Sequence, residues 1–319
     1  MLRSIFIYLS KAEWAKNIFM NWPIAWRVAS RFVAGTTIEE AIGIIRQLNA
    51  AGINTTLDQL GEHTSSVEEA NAAANGIVAT LNEIEKQGVI ANVSIKLTQI
   101  GMGTDNDACK KNLKRILETA KKTNNFVRID IEDTPYTDLT IELYDDMRQA
   151  GFGDETVGMA VQSYLYRAEA DVRKALESKT KFRLVKGAYK EPANLAYPKK
   201  IDVDSNFDNL ASILMDSAKL HESRLSENGL VPPIPALATH DDKRVEFAKN
   251  YAAKISLNKK QVEFQMLYGI RRDLQNSLAE EGYPVRVYVP FGTHWYPYFM
   301  RRLAERPANI WFFVSNFFR

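Results

Sequence analysis

Eight short β-rich runs recur along this chain, spaced so that most intervals leave room for one helix, and that rhythm constrains the fold more than any other feature. The runs are Asn54–Asp58, Ala91–Leu97, Phe126–Glu132, Val157–Gln162, Lys181–Gly187, Ile234–His240, Val262–Leu267 and Val285–Val289. Between them lie stretches such as SSVEEANAAANGIVATLNEIEKQG and DLTIELYDDMRQAG, whose apolar residues return at helical spacing. Strands alternating with helices form parallel βα units, and eight such units predict a closed (βα)8 barrel. A doubly wound sheet would normally carry a glycine-rich fingerprint after its first strand. Here NTTLDQLGEH has a single glycine, and the GMG at Gly101–Gly103 lacks a third and does not open a helix.

The first thirty-five residues alternate aromatic and basic residues at helical spacing (Ile5, Tyr8, Leu9, Trp14, Ile18, Phe19), which predicts packing or capping helices. Thr36-Thr37 then caps the amphipathic stretch IEEAIGIIRQLNAAG, which ends at Gly52. No Pro/Gly/Ser-rich hinge divides the chain. The reading is an N-terminal helical segment over 1–35, one barrel domain over 36–308 and an aromatic tail over 309–319. The tail, IWFFVSNFF, is too short to span a bilayer and too aromatic to stand bare in water. It is expected to pack on the barrel or on a second subunit, or to touch a membrane surface.

Charge and composition exclude several classes. A net charge of +2, from 41 basic and 39 acidic residues, gives no reason to expect a nucleic-acid partner. One cysteine, Cys109 in the polar run DNDACKKN, excludes an internal disulfide and reads as a bystander. His63, His221, His240 and His294 are not at metal-ligand spacing, so no metal is expected. The N-terminus is too broken by charge for a signal peptide, and no run approaches the twenty or so apolar residues of a membrane span. The expected location is cytoplasmic, with any membrane contact peripheral, at its inner face.

In a parallel barrel the chemistry sits at the C-terminal ends of the strands, where loops project from a rigid core. Polar residues crowd those positions: Asp58 and Glu62; Lys96; Arg128, Asp130 and Glu132; Gln162; Arg183, Lys186 and Tyr189; Thr239, His240 and Asp241; Glu263 and Gln265; Tyr288. A barrel interior built only for stability would favour Val, Ile and Leu, although Lys96 and Asp130 could equally form a structural ion pair. After the last run, stopped by Pro290 and Gly292, a helix places Tyr298, Arg301 and Arg302 on one face, with Glu305 near enough to brace either arginine. Rigid guanidinium forks suit a carboxylate or phosphate. The set points to an anionic substrate or cofactor.

Seven ordered segments resemble the proline dehydrogenase family, FAD enzymes on a (βα)8 barrel. They are SIKLTQIG (94–101), VRIDIED (127–133), VQSYLYR (161–167), RLVKGAY (183–189), LATHD (237–241), EFQMLYG (263–269) and YVPFGTHWYPYFMRRLAER (288–306). The resemblance implies oxidation of L-proline to Δ1-pyrroline-5-carboxylate, with hydride passing to FAD and electrons to a quinone, the first step of proline catabolism to glutamate. A separate pyrroline-5-carboxylate dehydrogenase would take the product. It implies that Arg301 and Arg302 clamp the proline carboxylate, with Tyr298 beside the ring and excluding a ring hydroxyl. Lys96, paired with Asp130, would lie across the substrate, and Leu184, Tyr189 and Tyr288 would wall the pyrrolidine ring. Arg183 and Asp130 would be catalytic, with Arg183 near flavin N5. Gln162, Ile131, Val185, Lys186, Gly187, Thr239 and His240 would hold the rest of the cofactor, and Glu62 would pair with Arg301 to gate the site. Without the resemblance, the rival is an aldolase-type lyase acting on an anionic substrate, with a Schiff base at Lys96 or Lys186. A non-catalytic carboxylate-binding module would leave the strand-end lysine, aspartate and glutamine without a role.

Overall fold

The computed structural model describes residues 8–9, 12–20 and 23–305, and all statements below concern those residues. Eight parallel strands close into a barrel in sequence order: β1 (Asn54–Gln59), β2 (Ala91–Ile95), β3 (Val127–Ile129), β4 (Val157–Gln162), β5 (Phe182–Val185), β6 (Pro235–Ala238), β7 (Glu263–Leu267) and β8 (Val285–Phe291). The ring shuts where β1 pairs with β8, from Asn54 opposite Arg286 to Gln59 opposite Phe291. The (βα)8 expectation holds. Helices α1 (Glu13–Met20), α2 (Pro23–Ala29) and α3 (Ile38–Ala50) precede the first strand. Those between or after strands are α4 (Val67–Gln87), α5 (Asn106–Lys122), α6 (Thr134–Gln149), α7 (Ala168–Leu176), α8 (Lys200–Leu220), α9 (Asp242–Lys254), α10 (Arg272–Glu280) and α11 (Trp295–Glu305).

Local chemistry sets the helix ends. Thr37 caps α3 in a capping box with Glu40, Ser66 caps α4 by accepting from Glu69 N, and α4 stops at Gly88 in the left-handed region. The helices bury their apolar faces on the outward faces of the strands, where Val93, Ile129, Met159, Leu184, Phe264 and Val287 belong to one continuous core. A second cluster joins Ala15, Ala25 and Val28 of the N-terminal helices to Trp295, Tyr296 and Phe299 of α11, with the Trp26 and Trp295 rings 5.4 Å apart. The predicted packing role of the early helices is therefore seen for α1 and α2. The aromatic tail and Ile5 lie outside the described residues, as do the side chains of Ile18 and Glu305.

Several strand ends differ from the sequence reading. Lys96 leaves β2 and starts a 3-10 turn, Leu97–Ile100, because Gly101 supplies the positive φ that closes it. Pro290 does not stop β8, which runs on to Phe291 with Pro290 opposite Asp58. A proline there forfeits only its own donor, and its carbonyl still accepts from Ala34 N at 2.8 Å. Cys109 is fully buried rather than on a polar surface, and burial pushes its thiol up to about 12.

Strand alternation turns the apolar residues out and the polar residues toward the barrel axis. The floor holds Arg128 and the pair Arg286–Glu263, all at most 1% exposed. Arg128 donates to the carbonyls of Lys181 and Met159 and lies 4.9 Å over the Phe126 ring. Gly158 makes room for it, since a Cβ there would come within 2.7 Å of the Arg128 guanidinium and 2.4 Å of Lys181 O. Glu263, expected at the mouth, therefore belongs to the floor.

Candidate active site

Above the floor the inward side chains form one hydrogen-bonded cluster. Lys96 Nζ lies 3.1 Å from Asp58 Oδ2, 3.4 Å from Tyr288 Oη and 3.9 Å from Asp130 Oδ2. Tyr288 donates to Asp130 Oδ2 at 3.0 Å, while Arg183 Nη1 pairs with Asp130 Oδ1 and donates to Ser94 Oγ at 2.7 Å. The Arg183 guanidinium also lies 5.2 Å over the Tyr288 ring. The expected Lys96–Asp130 pair is thus the looser of two. Asp58 is the nearer partner of Lys96, and Asp130 is drawn to Arg183. β1 and β3 flank β2 on either side and bring both carboxylates to Lys96, but Asp130 is also held by Arg183 and Tyr288.

The electrostatics follow from that packing. Burial works against the Lys96 ammonium, but the carboxylates of Asp58, Asp130 and Glu62 outweigh it and hold its pKa above the ordinary lysine value. Burial raises Asp58, against the pull of Lys96. Burial also raises the phenols of Tyr288 and Tyr189, with the nearby carboxylates adding to the effect. At neutral pH both tyrosines stay protonated and Lys96 stays an ammonium. A Schiff-base mechanism needs a neutral amine, so Lys96 is unsuited to the lyase chemistry. Lys186 is ion-paired with Asp204 at 2.5 Å and with Asp241 at 2.7 Å.

The upper rim is made by the β1–α4 loop and by α11. Arg301 forks onto Glu62, with Nη1–Oε2 at 3.0 Å and Nη2–Oε1 at 2.7 Å. Arg302, 9% exposed, lies with its guanidinium 5.0 Å over the Tyr298 ring, which is 6% exposed. The Glu62 carboxylate is among the charges that hold Tyr189 and Lys96 above their ordinary pKa values, so the rim and the cluster share one electrostatic environment. The loop that carries Glu62 is pinned from below. Glu132 accepts from Thr98 N at 3.1 Å and Thr98 Oγ1 at 2.7 Å, and Thr98 O accepts from Thr64 N at 3.2 Å.

The residues expected to hold a cofactor lie along the ends of β4 to β7. Gln162 donates to Glu132 O at 2.9 Å, and Val185 and Lys186 hold the backbone of Ser163 and Tyr164. Gly187 has φ +121°, and a Cβ there would come within 2.6 Å of the Tyr164 ring, so the backbone turns closely over that ring. Thr239 Oγ1 accepts from Asp241 N at 3.1 Å, and His240 Nε2 accepts from Leu267 N at 3.0 Å. Two expected residues are elsewhere. Leu184 is fully buried in the core between strands and helices, on the opposite face of β5 from Arg183, so it does not line the barrel mouth. The Ile131 side chain lines a groove of about 460 Å³ between α6 and α7 on the outer wall. Alternation sends each away from the axis because its neighbour, Arg183 or Asp130, points in. The sequence places Asp58 and Gln265 at strand ends without a role, and it does not single out Ser94, whose only signal is shared parity with Asn92 and Lys96.

Comparison with known proteins points to one family. The family described as proline dehydrogenase matches residues 41–314. Proline dehydrogenase 1 of Bacillus subtilis (strain 168) is 40% identical over 316 residues, covering 99% of each chain. Proline dehydrogenase of Deinococcus radiodurans is 39% identical over 294 residues, covering 91% of this chain and 90% of that one. Among solved structures, proline utilization A (PutA) from Bdellovibrio bacteriovorus, inactivated by N-propargylglycine, superposes with a TM-score of 0.79 at 24% identity. That match covers 96% of this chain but 36% of the larger one, so the chain spans about a third of it and the likeness is one of fold.

Proposed function

The chain belongs to the proline dehydrogenase family, and from that premise we propose how its residues share the work. It oxidises the CH–NH group of L-proline. The lyase alternative has no support in these relatives, whose names are those of an oxidoreductase. In the proposed arrangement the carboxylate of proline sits on the Arg301 and Arg302 forks and its ring rests against Tyr189 and Tyr288. FAD would be held by Gln162, Lys186, Thr239 and His240 at the ends of β4 to β6. The observation that carries this reading is a fixed cation at the barrel axis, Arg183, tied into the Asp130–Tyr288–Lys96 cluster, with a second cationic pole on α11 where Arg301 forks onto Glu62.

The residues fit a flavin by their chemistry. A guanidinium and an amide suit the polar edge of the ring, and Lys186 with Lys200 would supply cations for phosphates. FAD, when bound, accepts the hydride that leaves proline Cα. The protein's own contribution is positional. Arg301 and Arg302 fix the carboxylate, Tyr288 is held by Asp130, and Lys96 neutralises two carboxylates that would otherwise repel an anionic substrate. Glu62 competes for Arg301 and closes the mouth over the bound ring, which excludes water. The proline nitrogen must lose its proton before Cα releases hydride. Lys96, already protonated, cannot take it. Electrons leave to a quinone, the product goes to a separate pyrroline-5-carboxylate dehydrogenase, and contact with the membrane is peripheral. Among the described residues no helix is long and apolar enough to cross a membrane.

The direct test is the visible spectrum of the purified protein, recorded anaerobically before and after L-proline. Flavin bands that bleach on addition are expected. A colourless protein that takes up no FAD would overturn the cofactor assignment, and bound flavin indifferent to proline would overturn the placement of the substrate. Substrate choice has its own test. Tyr298→Ser opens space beside the ring, so discrimination against 4-hydroxyproline should narrow by roughly tenfold or more in kcat/KM. Selectivity unchanged in that variant rules out Tyr298 as the discriminating residue.

A further inference from the structure

Arg183 is held from behind by a line of buried groups that runs to the barrel floor. Its Nε donates to Gln265 Oε1 at 2.6 Å, and Gln265 Nε2 donates to Glu263 Oε1 at 2.6 Å. Glu263 in turn accepts from Arg286 Nε and Nη2, both at 3.0 Å. The remaining Arg286 donors reach Thr55 O at 2.8 Å and Gly229 O at 2.7 Å. Exposure along the line is 4% for Arg183, 3% for Gln265 and zero for Glu263 and Arg286. Bulk solvent does not reach these groups.

The line has one possible polarity. An ionised carboxylate only accepts, so Glu263 obliges Gln265 to present its NH₂ downward and its carbonyl upward. That carbonyl faces the Nε edge of Arg183, while Asp130 and Ser94 hold Nη1 at the other edge. The guanidinium plane is thus set from two sides. A buried ion pair is often no more stabilising than aliphatic residues of equal volume, so the floor pair is not explained by stability alone. We propose that Gln265 is a positioning residue for the reaction, and that Glu263 and Arg286 lock its amide so that Arg183 faces the hydride-transfer site at a fixed angle. This rests on the assignment of Arg183 to the cofactor made above.

Gln265→Leu preserves volume and removes the acceptor. The rate constant for anaerobic flavin reduction at saturating L-proline should fall about 10- to 100-fold. The apparent proline dissociation constant should move less than threefold, because Arg301 and Arg302 are untouched. The midpoint potential of bound FAD should become more negative, and crystals of the flavin-free variant should show the Arg183 guanidinium rotated away from β7. Gln265→Glu tests the polarity and serves if the leucine variant does not fold. While its new carboxyl is protonated it keeps both bonds, and once ionised it opposes Glu263. Reduction should therefore run near the native rate at low pH and decline on a limb that the parent enzyme lacks.

A residue of purely structural value would produce neither the pH limb nor the potential shift. Arg183→Lys separates the two readings. If that variant reduces at the native rate, the assignment of Arg183 itself is wrong. If it is slow while Gln265→Leu is native in rate and potential, the positioning role is overturned.

Discussion

Replacing Glu263 with leucine is expected to cost about 3–5 kcal/mol of stability, because it strands a guanidinium in the barrel floor. Arg286 is fully buried, and its pairing with both Glu263 oxygens at 3.0 Å would be lost, leaving two backbone carbonyls as its acceptors. Carbonyls satisfy donors but do not neutralise a charge. A typical domain has only about 5–15 kcal/mol in total, so the variant should be poorly soluble or melt on the order of ten degrees lower. The double variant Glu263→Leu, Arg286→Met removes both charges and should recover much of the loss. Denaturant midpoints of the parent, both single variants and the double complete the cycle. A single-variant cost below about 1 kcal/mol, the range of exposed pairs, would contradict the burial of this pair.

The second large effect is on binding. Arg302→Met should raise KM for L-proline about 100- to 1,000-fold while changing kcat far less, which corresponds to roughly 3–4 kcal/mol of charge-assisted hydrogen bonding to a carboxylate. Arg302 is the better probe than Arg301, whose fork is joined to Glu62 in this structure. Methionine keeps the stem that packs beside Tyr298, so the change reads the charge and the fork rather than a cavity. Arg302→Lys should restore only part of the affinity, since an ammonium cannot meet two carboxylate oxygens in one plane. Steady-state kinetics decides the matter: a KM within tenfold of the parent value in Arg302→Met means that the carboxylate binds elsewhere.

Much of this architecture is legible in the sequence, because barrel strands advertise themselves by charge as well as by hydrophobicity. Arg128 and Asp130 interrupt an apolar run, and so do Arg183, Gln265 and Arg286. The alternation that sends them inward sends Leu184 and Phe264 outward. What the pattern does not carry is depth. Glu263 and Gln265 have the same parity on β7, and which of them comes level with Arg183 on β5 is set by the stagger of the closed sheet. Nor does it carry the choice among neighbours. Asp58 and Asp130 flank Lys96 on either side, and the nearer contact depends on the pull of Arg183 on Asp130, a residue two strands further on. The helix with Tyr298, Arg301 and Arg302 on one face is local, and local spacing is what sequence shows best.

The seam between β1 and β8 bears on how the protein is made. A nascent chain that has emerged past β1 carries an unpaired strand edge, and no later strand can cover it until Val285–Phe291 leaves the ribosome. At about 5–20 residues per second that wait lasts roughly tens of seconds. The arginines on α11 come later still, after the ring has shut. Binding competence therefore arrives only once exposure to aggregation has ended. A ribosome stalled just upstream of Val285 would hold nearly all of the enzyme, with none of its affinity and with both open edges of the sheet.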